Sequence, residues 1–219
     1  MDEADGTASY EVDLPNGGTS YLIGNLIQQG PETDNPTIVC YGEEGLSNSG
    51  KDLYIVNNTI VNDRGSGTFL SIAGSASRAK VINNLFVGGG TPISGPADTM
   101  TNIVTIAPQF KNKADYDYHP TNTTPGINRG SDPGNANGYT LVPQFMYNYN
   151  CDGTPRVSSG VIDIGAYEYD VTSAVTRQPA WNGLSKNRRA IHKKVNLLGR
   201  TVDCKKENQF RGIKFPFVY

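Results

Sequence analysis

Three short segments of the chain share one pattern: Ile23-Gly24-Asn25-Leu26-Ile27, Val56-Asn57-Asn58-Thr59-Ile60 and Ile82-Asn83-Asn84-Leu85-Phe86. Each runs from an apolar residue to Asn two places on, then to an apolar residue two places further. Gly-rich and Ser-rich turns separate them. An Asn recurring inside apolar strands makes little sense in one isolated strand. It makes sense when identical positions stack in layers, because a side-chain amide can donate to one neighbouring layer and accept from the other. The pattern therefore constrains architecture strongly and chemistry weakly.

The rest of the chain fits a turn-rich β protein. With 219 residues, 25 Gly, 13 Pro and 18% charged residues, it has the size of one β domain, or of one domain with an appendage. Short β-branched runs bounded by Gly, Asn, Asp or Pro fall at 21–27, 37–41, 53–61, 68–73, 80–87 and 102–106. No window before the basic tail shows a helical period. The Asn positions are 33 and 26 residues apart, and the intervening strands begin 31 and 34 residues apart. Unequal loops with constant strand grammar predict an all-β fold, a right-handed parallel β-helix with two strand faces per coil. Rungs would lie ~4.8 Å apart. Ile27, Ile60 and Phe86 would stack as one interior column, and Ile23, Val56 and Ile82 as a second. The amides of Asn25, Asn58 and Asn84 would form a structural ladder at a bend between them. Residues 1–20 read as an irregular N-terminal segment and 21–107 as the coils.

A mean hydropathy of −0.44 fits a soluble chain. No stretch reaches the ~20 apolar residues of a membrane helix. The acidic, polar start is unlike a signal peptide, so an export signal is expected upstream of this chain, which reads as a truncated one. Charge is unevenly spread: from Arg177 onward 11 Lys and Arg face 2 Asp and Glu, leaving 8 against 19 in the rest. Such a change of sign marks a module boundary. Cys40, Cys151 and Cys204 form neither a metal spacing nor a complete disulfide framework. Cys40 reads as a small strand residue, while Cys151 and Cys204 could pair. With only His119 and His192, a His-rich metal site is not expected.

From Ala107 the texture changes. Ala107-Pro108-Gln109-Phe110 is followed by Asp115-Tyr116-Asp117-Tyr118-His119-Pro120 and Thr123-Thr124-Pro125-Gly126-Ile127-Asn128-Arg129-Gly130. Then come Asp152-Gly153-Thr154-Pro155-Arg156 and Val161-Ile162-Asp163-Ile164-Gly165-Ala166-Tyr167-Glu168-Tyr169. In this order the motifs resemble the choice-of-anchor Q domain, the C-terminal region of bacterial surface β-helix proteins. Two departures are local: His119-Pro120 stands where leucine is usual, and Thr124-Pro125-Gly126-Ile127-Asn128 replaces Ser-Pro-Ala-Ile-Asp. The resemblance implies an exported protein held at the cell surface. It implies no particular reaction.

Residues 108–170 thus read as a cap closing the C-terminal end of the coils, with Asp152, Gly153, Arg156, Asp163, Gly165 and Tyr167 as its motif. Asp163, a lone carboxylate between Ile and Gly, reads as a partner for a nearby turn. Asp152 and Arg156 read as a turn-locking pair or a cap hydrogen bond. Residues 171–185 read as a linker and 186–219 as a basic tail. In the tail, Val195-Asn196-Leu197-Leu198-Gly199-Arg200-Thr201-Val202 and Arg211-Gly212-Ile213 resemble the sorting domain of type IX secretion. The tail's charge run, including Arg188, Arg189, Lys193 and Lys194, is otherwise a solvated face or a polyanion patch.

No catalytic residue can be named. A glycoside hydrolase needs two carboxyl groups ~5 to 9.5 Å apart, and a polysaccharide lyase needs a base and a cation. The charged candidates Lys51, Arg64, Arg78 and Lys80 show no convergence on one site. Among Tyr41, Tyr54 and Trp181, which could stack on sugars, Tyr54 is the best expected ligand contact, pointing outward between Leu53 and Ile55. No cofactor is required; Ca²⁺ on Asn148, Asn150 and Asp152 is one option. The leading expectation is a monomeric, non-catalytic β-helix portion of an extracellular or surface protein, outer-membrane-associated. It would act in display or anchoring and possible contact with a polysaccharide or cell-surface glycan. Secretion or anchoring machinery would be a partner; nucleic acid and a transmembrane segment are not expected. Alternatives are a β-helix polysaccharide lyase or glycoside hydrolase with its catalytic coils mostly upstream, and a glycan-binding adhesin.

Overall fold

The computed structural model describes residues 9–149, 152–158 and 160–169. The chain divides into two units, the second being Asp170–Tyr219. That unit lies outside the described residues, and with it the expected linker and basic tail, Trp181, His192, Cys204 and the sorting-like motif.

The first unit is all-β at its centre. Its strands are β1 (Val12–Leu14), β2 (Ser20–Ile23), β3 (Leu26–Gln29), β4 (Thr37–Tyr41), β5 (Asp52–Val56), β6 (Thr59–Asn62), β7 (Thr68–Ile72), β8 (Arg78–Ile82), β9 (Leu85–Gly88), β10 (Thr91–Ser94), β11 (Asp98–Met100) and β12 (Ile103–Thr105). They form three four-stranded sheets: β1-β4-β7-β10, β2-β5-β8-β11 and β3-β6-β9-β12. Every pair of neighbours is parallel. The chain visits the three sheets in the same order four times, which is compatible with a β-helix.

One residue per turn makes three sheets where two were expected. Gly24, Asn57, Asn83 and Thr101 each sit between a second-sheet and a third-sheet strand with φ of 69°, 52°, 55° and 51°. This left-handed conformation splits each long apolar run in two. Gly adopts it freely and Asn tolerates it, whereas a β-branched Thr is strained there.

The next residue in each turn carries the amide ladder. The Asn25 backbone N–H and Nδ2 both donate to Asn58 Oδ1, at 2.9 and 3.0 Å. Asn58 does the same to Asn84 Oδ1, at 2.9 Å each, and Asn84 to Asn102 Oδ1, at 2.8 and 3.0 Å. Each Nδ2 also reaches back a turn: Asn58 to Leu22 O, Asn84 to Ile55 O and Asn102 to Val81 O. Two backbone and two side-chain demands are thus met at each bend.

Register places Ile27 beside Ile60 and Ile60 beside Phe86, all buried in the main core. The second expected interior column needs correction. Ile23, Val56 and Ile82 share a separate cluster with Tyr54 and Leu141, on the outer side of the second sheet, while Leu22, Leu53, Ile55 and Val81 face the main core. The left-handed residue interrupts the two-residue alternation, so apolar residues on either side of the Asn face opposite ways.

Three further expectations are revised. Residues 1–20 are not all irregular: β1 pairs with β4 in the first sheet, and β2 starts at Ser20. Residues 102–106 do not continue the first sheet; Ile103 pairs with Leu85 in the third, and Asn102 is the fourth rung of the ladder. The strand that continues the first sheet, β10, reads Thr-Pro-Ile-Ser and carries little β signature.

Finally, the described residues after Ala107 do not close the end of the stack. It carries three antiparallel ribbons: β13 (Phe110–Asn112) with β14 (Asp117–Pro120), β15 (Asn135–Ala136) with β16 (Tyr139–Thr140), and β17 (Phe145–Asn148) with β18 (Asp152–Pro155). These lie along the outer faces of the second and third sheets. Leu141 covers Val56 and Ile82, and Tyr118, Ile164, Ala166 and Tyr167 cover Val61, Leu85 and Val87. At the last rung Val104, the register partner of Phe86, stays 52% exposed. The outward apolar residues Tyr54 and Val56 of β5, Val61 of β6 and Leu85 and Val87 of β9 explain the side-on placement, since uncovered they would leave a large apolar patch.

Candidate functional site

The outer face of the second sheet gathers most of the residues expected to contact a ligand. Register aligns Asp52 with Arg78, and Tyr54 with Lys80 and then Asp98. Arg78 Nη1 reaches Tyr54 Oη at 3.4 Å, and that hydroxyl reaches Asp52 Oδ2 at 3.5 Å. The hydrogen bond to Tyr54, with the Asp52 carboxylate nearby, raises the Arg78 pKa. Lys51 is exposed just before β5, its carbonyl accepting the Ser77 N–H. Arg64 stands apart, in the turn after β6, bonded to Thr33 O and Ser66 Oγ.

Tyr54 corrects the expectation placed on it. It does point away from the core, yet it is fully buried. Tyr21 stacks on it with ring centroids 4.9 Å apart, and Leu141 packs into the same cluster. Tyr41 is buried as well, its hydroxyl donating to Gly18 O. An outward-facing position reads as solvent-exposed only while nothing folds back over it.

The motif residues of 108–169 bind the cover to the rungs. Asp163 Oδ1 accepts the Asn128 N–H at 2.6 Å, and Oδ2 the Tyr169 N–H at 2.5 Å. Arg156 pairs with Glu168, not Asp152: Nη2 lies 2.7 Å from Glu168 Oε1, both side chains buried. The guanidinium also donates to Gly165 O and Asp163 O. Burial pulls the Arg156 pKa down, opposed by Glu168. Asp152 instead accepts its neighbour Gly153's N–H. Gly165 has φ 101° and leaves no room for a side chain, since a Cβ would come within 2.8 Å of Thr59 Oγ1. The left-handed Asn residues, absent from the sequence expectation, clamp the same segment. Asn57 Nδ2 donates to Asp163 O, and Asn83 exchanges two hydrogen bonds with Ser131. Their signal in the sequence is the doubled Asn-Asn, whose first member takes the left-handed turn and whose second carries the ladder.

Asn148 and Asp152 are register partners across β17 and β18; Asn150 and Cys151 lie outside the described residues. Among the described residues no group of three or more His, Cys, Asp or Glu could hold a metal. Cys40 is buried, and burial with Glu43 beside it pushes its thiol up to about 11.

A groove of about 420 Å³ runs between the turn at Asn62 and Asp63, the glycines Gly88 and Gly89, and Phe110 and Lys113. Its charged groups are already engaged. Asp63 takes Lys113 Nζ at 2.5 Å and Gln28 Nε2 at 2.5 Å, and Gln28 Oε1 accepts the Tyr118 hydroxyl at 2.6 Å.

The exposed chemistry lies on the cover itself. Alternation along β14 buries Tyr118 and turns Asp117 and His119 outward. Asp117 Oδ1 accepts both the His119 N–H at 3.1 Å and the imidazole Nδ1 at 2.6 Å. The imidazole packs on Tyr167, centroids 4.3 Å apart, and burial strongly raises the Tyr167 pKa. Just before β14, Tyr116 stacks on Tyr149 at 4.9 Å and 19°. On β17 and beyond, Phe145, Tyr147 and Tyr149 are 64%, 37% and 54% exposed, and Tyr139 is 68% exposed. The sequence did hold a clue, since Tyr147-Asn148-Tyr149 repeats aromatics at strand spacing next to a Phe at 145.

No protein-family model matches the chain, and comparison with curated proteins and with solved structures gives no match either.

Proposed function

We propose that this chain is a right-handed parallel β-helix portion of an exported bacterial surface protein that displays a glycan-contacting face without turning the glycan over. The handedness follows from the strong preference of parallel crossover connections for the right-handed sense. One observation carries the functional reading. Four aromatic side chains, Tyr139 on β16 and Phe145, Tyr147 and Tyr149 along β17 and just beyond it, stand exposed on a segment locked to a rigid stack. Aromatic rings with a polar edge suit the apolar faces and hydroxyl rims of sugar rings. The export and surface placement rest on the motif resemblance, and anchoring machinery would be the partner there.

The enzyme reading draws less support. Asp52 starts β5 in the second sheet, whereas Asp63 lies in the turn after β6 of the third and is held by Lys113 and Gln28. Arg78 and Lys80 stand beside Asp52 and Asp98 instead of an open basic cleft. The full chain on a glycan array, with parallel assays for reducing ends and for ultraviolet-absorbing unsaturated products, tests the proposal. Retention of glycans without product is expected. Product formation from any retained glycan, or no retention at all, would overturn it.

A further inference from the structure

We propose that Phe145 and Tyr147 form a two-ring shelf that takes an unbranched, neutral glycan lying along β17. This rests on the glycan-contact reading and gives it a site, an orientation and a smallest ligand. Strand geometry puts both rings on one face. Exposure alternates along β17: Phe145 and Tyr147 are exposed, while Met146 and Asn148 turn to the other side and are half-buried. Met146 packs against the cluster beneath the cover. Register carries the exposed face onto β18, where Pro155 stands beside Phe145 and Gly153 beside Tyr147. The face therefore presents Phe, Pro, Tyr and Gly, none of them charged. It is held from behind: the Arg156 N–H donates to Gln144 O at 2.9 Å, and Met146 Sδ accepts the Glu168 N–H at 3.2 Å. A surface fixed in this way loses little freedom on binding.

Spacing and area choose the occupant. Side chains two residues apart on a strand leave the backbone about 7 Å from each other. One sugar ring does not span both, so the smallest ligand that stacks on the whole shelf is two linked rings. The exposed parts of Phe145 and Tyr147, 64% and 37%, come to roughly 200 Å² if each ring residue offers about 200 Å². A stable protein interface needs about 800 Å² from each partner, so the shelf suits a small ligand and not a second copy of the chain. Gly153 keeps the shelf flat, since no side chain rises opposite Tyr147. The backbone does not demand glycine there. Its φ lies outside the left-handed region, and an added Cβ would meet nothing nearer than Met146 O at 3.4 Å, an ordinary contact.

Calorimetric titration of the full chain with β-1,4-linked glucose, mannose and xylose oligomers of one to four rings tests this. At least one series should bind, with affinity rising about tenfold from one ring to two, the gain of a second stacking surface. Added salt should leave that affinity unchanged, because no ion pair forms. Phe145→Ala and Tyr147→Ala should each weaken the two-ring ligand about tenfold. Gly153→Val should weaken it as well, filling the flank of Tyr147 while removing neither ring. Val157→Ala, an exposed apolar control off the two strands, should bind as the parent does. All four positions are exposed, so circular dichroism should report an unchanged fold. Normal binding by Gly153→Val or by either ring variant, equal affinity for one ring and two, or steep salt dependence would overturn the shelf. So would a dimer in sedimentation that Phe145→Ala abolishes, since a second copy would then be the occupant. No oligomer binding beside a positive glycan array would overturn the shelf and leave glycan contact standing; a blank array as well would remove both.

Discussion

Replacing Asn84 by Ala should cripple the fold, while the same change at Asn25 should be mild. Asn84 is completely buried and works in both directions. Its Oδ1 accepts the backbone N–H and Nδ2 of Asn58, and its Nδ2 serves Ile55 O, Ile82 O and Asn102 Oδ1. Truncation removes these bonds and leaves the Asn58 N–H buried with no acceptor. At about 1 kcal/mol per net bond, with a further penalty of about 1 kcal/mol or more for the orphaned N–H, the loss comes to about 6 kcal/mol. A whole domain holds only about 5–15 kcal/mol. Asn25 lies at the exposed first rung and contributes one side-chain bond, to Asn58 Oδ1, so its loss should cost about 1 kcal/mol or less. Urea unfolding followed by far-ultraviolet circular dichroism separates the two. With a slope of about 2 kcal/mol per molar, the midpoint should fall by about 3 M for Asn84→Ala and by less than about 0.5 M for Asn25→Ala. Equal shifts would mean that the amides do not act as a stacked ladder, and the layered reading would fail with them.

Other perturbations probe separate links. Thr101→Asn should stabilise by about 0.5–1 kcal/mol, because Asn tolerates the left-handed φ of 51° and can extend the Asn57–Asn83 file; a rise of about 1–4 °C in thermal midpoint would show it. Arg156→Ala strands Glu168 in the cover and should cost about 3–5 kcal/mol, read as faster limited proteolysis within 145–165 before the rungs unfold. Cys40 has a folded pKa of about 11 against 9.0 for a free thiol, a raised value. Its contribution to stability is therefore full below pH 9 and is lost as pH climbs from 9 through 11. Cys40→Ala should make alkaline unfolding shallower across that window.

The sequence exposed the rungs through particular residues. Asn25, Asn58 and Asn84, each two places from apolar neighbours, identified positions that meet in space, since the same chemistry recurring at one point of a strand is useful only when layers coincide. The fourth rung is not legible in the sequence because Thr101 stands where the others have Gly or Asn, and because β10 and β11 are short and polar. The third sheet escaped because a left-handed residue leaves no mark in hydropathy. It shows only as Gly or as a doubled Asn.

The candidate site was much less legible, and the reason is distance along the chain. Asn57 bonds Asp163 across 106 residues, and Tyr118 bonds Gln28 across 90. Local alternation correctly turned Tyr54 outward from the core, but only the returning chain decided that outward meant buried under Leu141. The same return brought Tyr149 against Tyr116 and set His119 over Tyr167. The sequence by itself determined that layers stack and which amides join them, because strand period and amide chemistry are local and repeat at every turn. The tertiary structure alone decided which outward side chains are covered and which aromatic rings face water, because that depends on where one non-repeating segment folds back, and no local pattern encodes it.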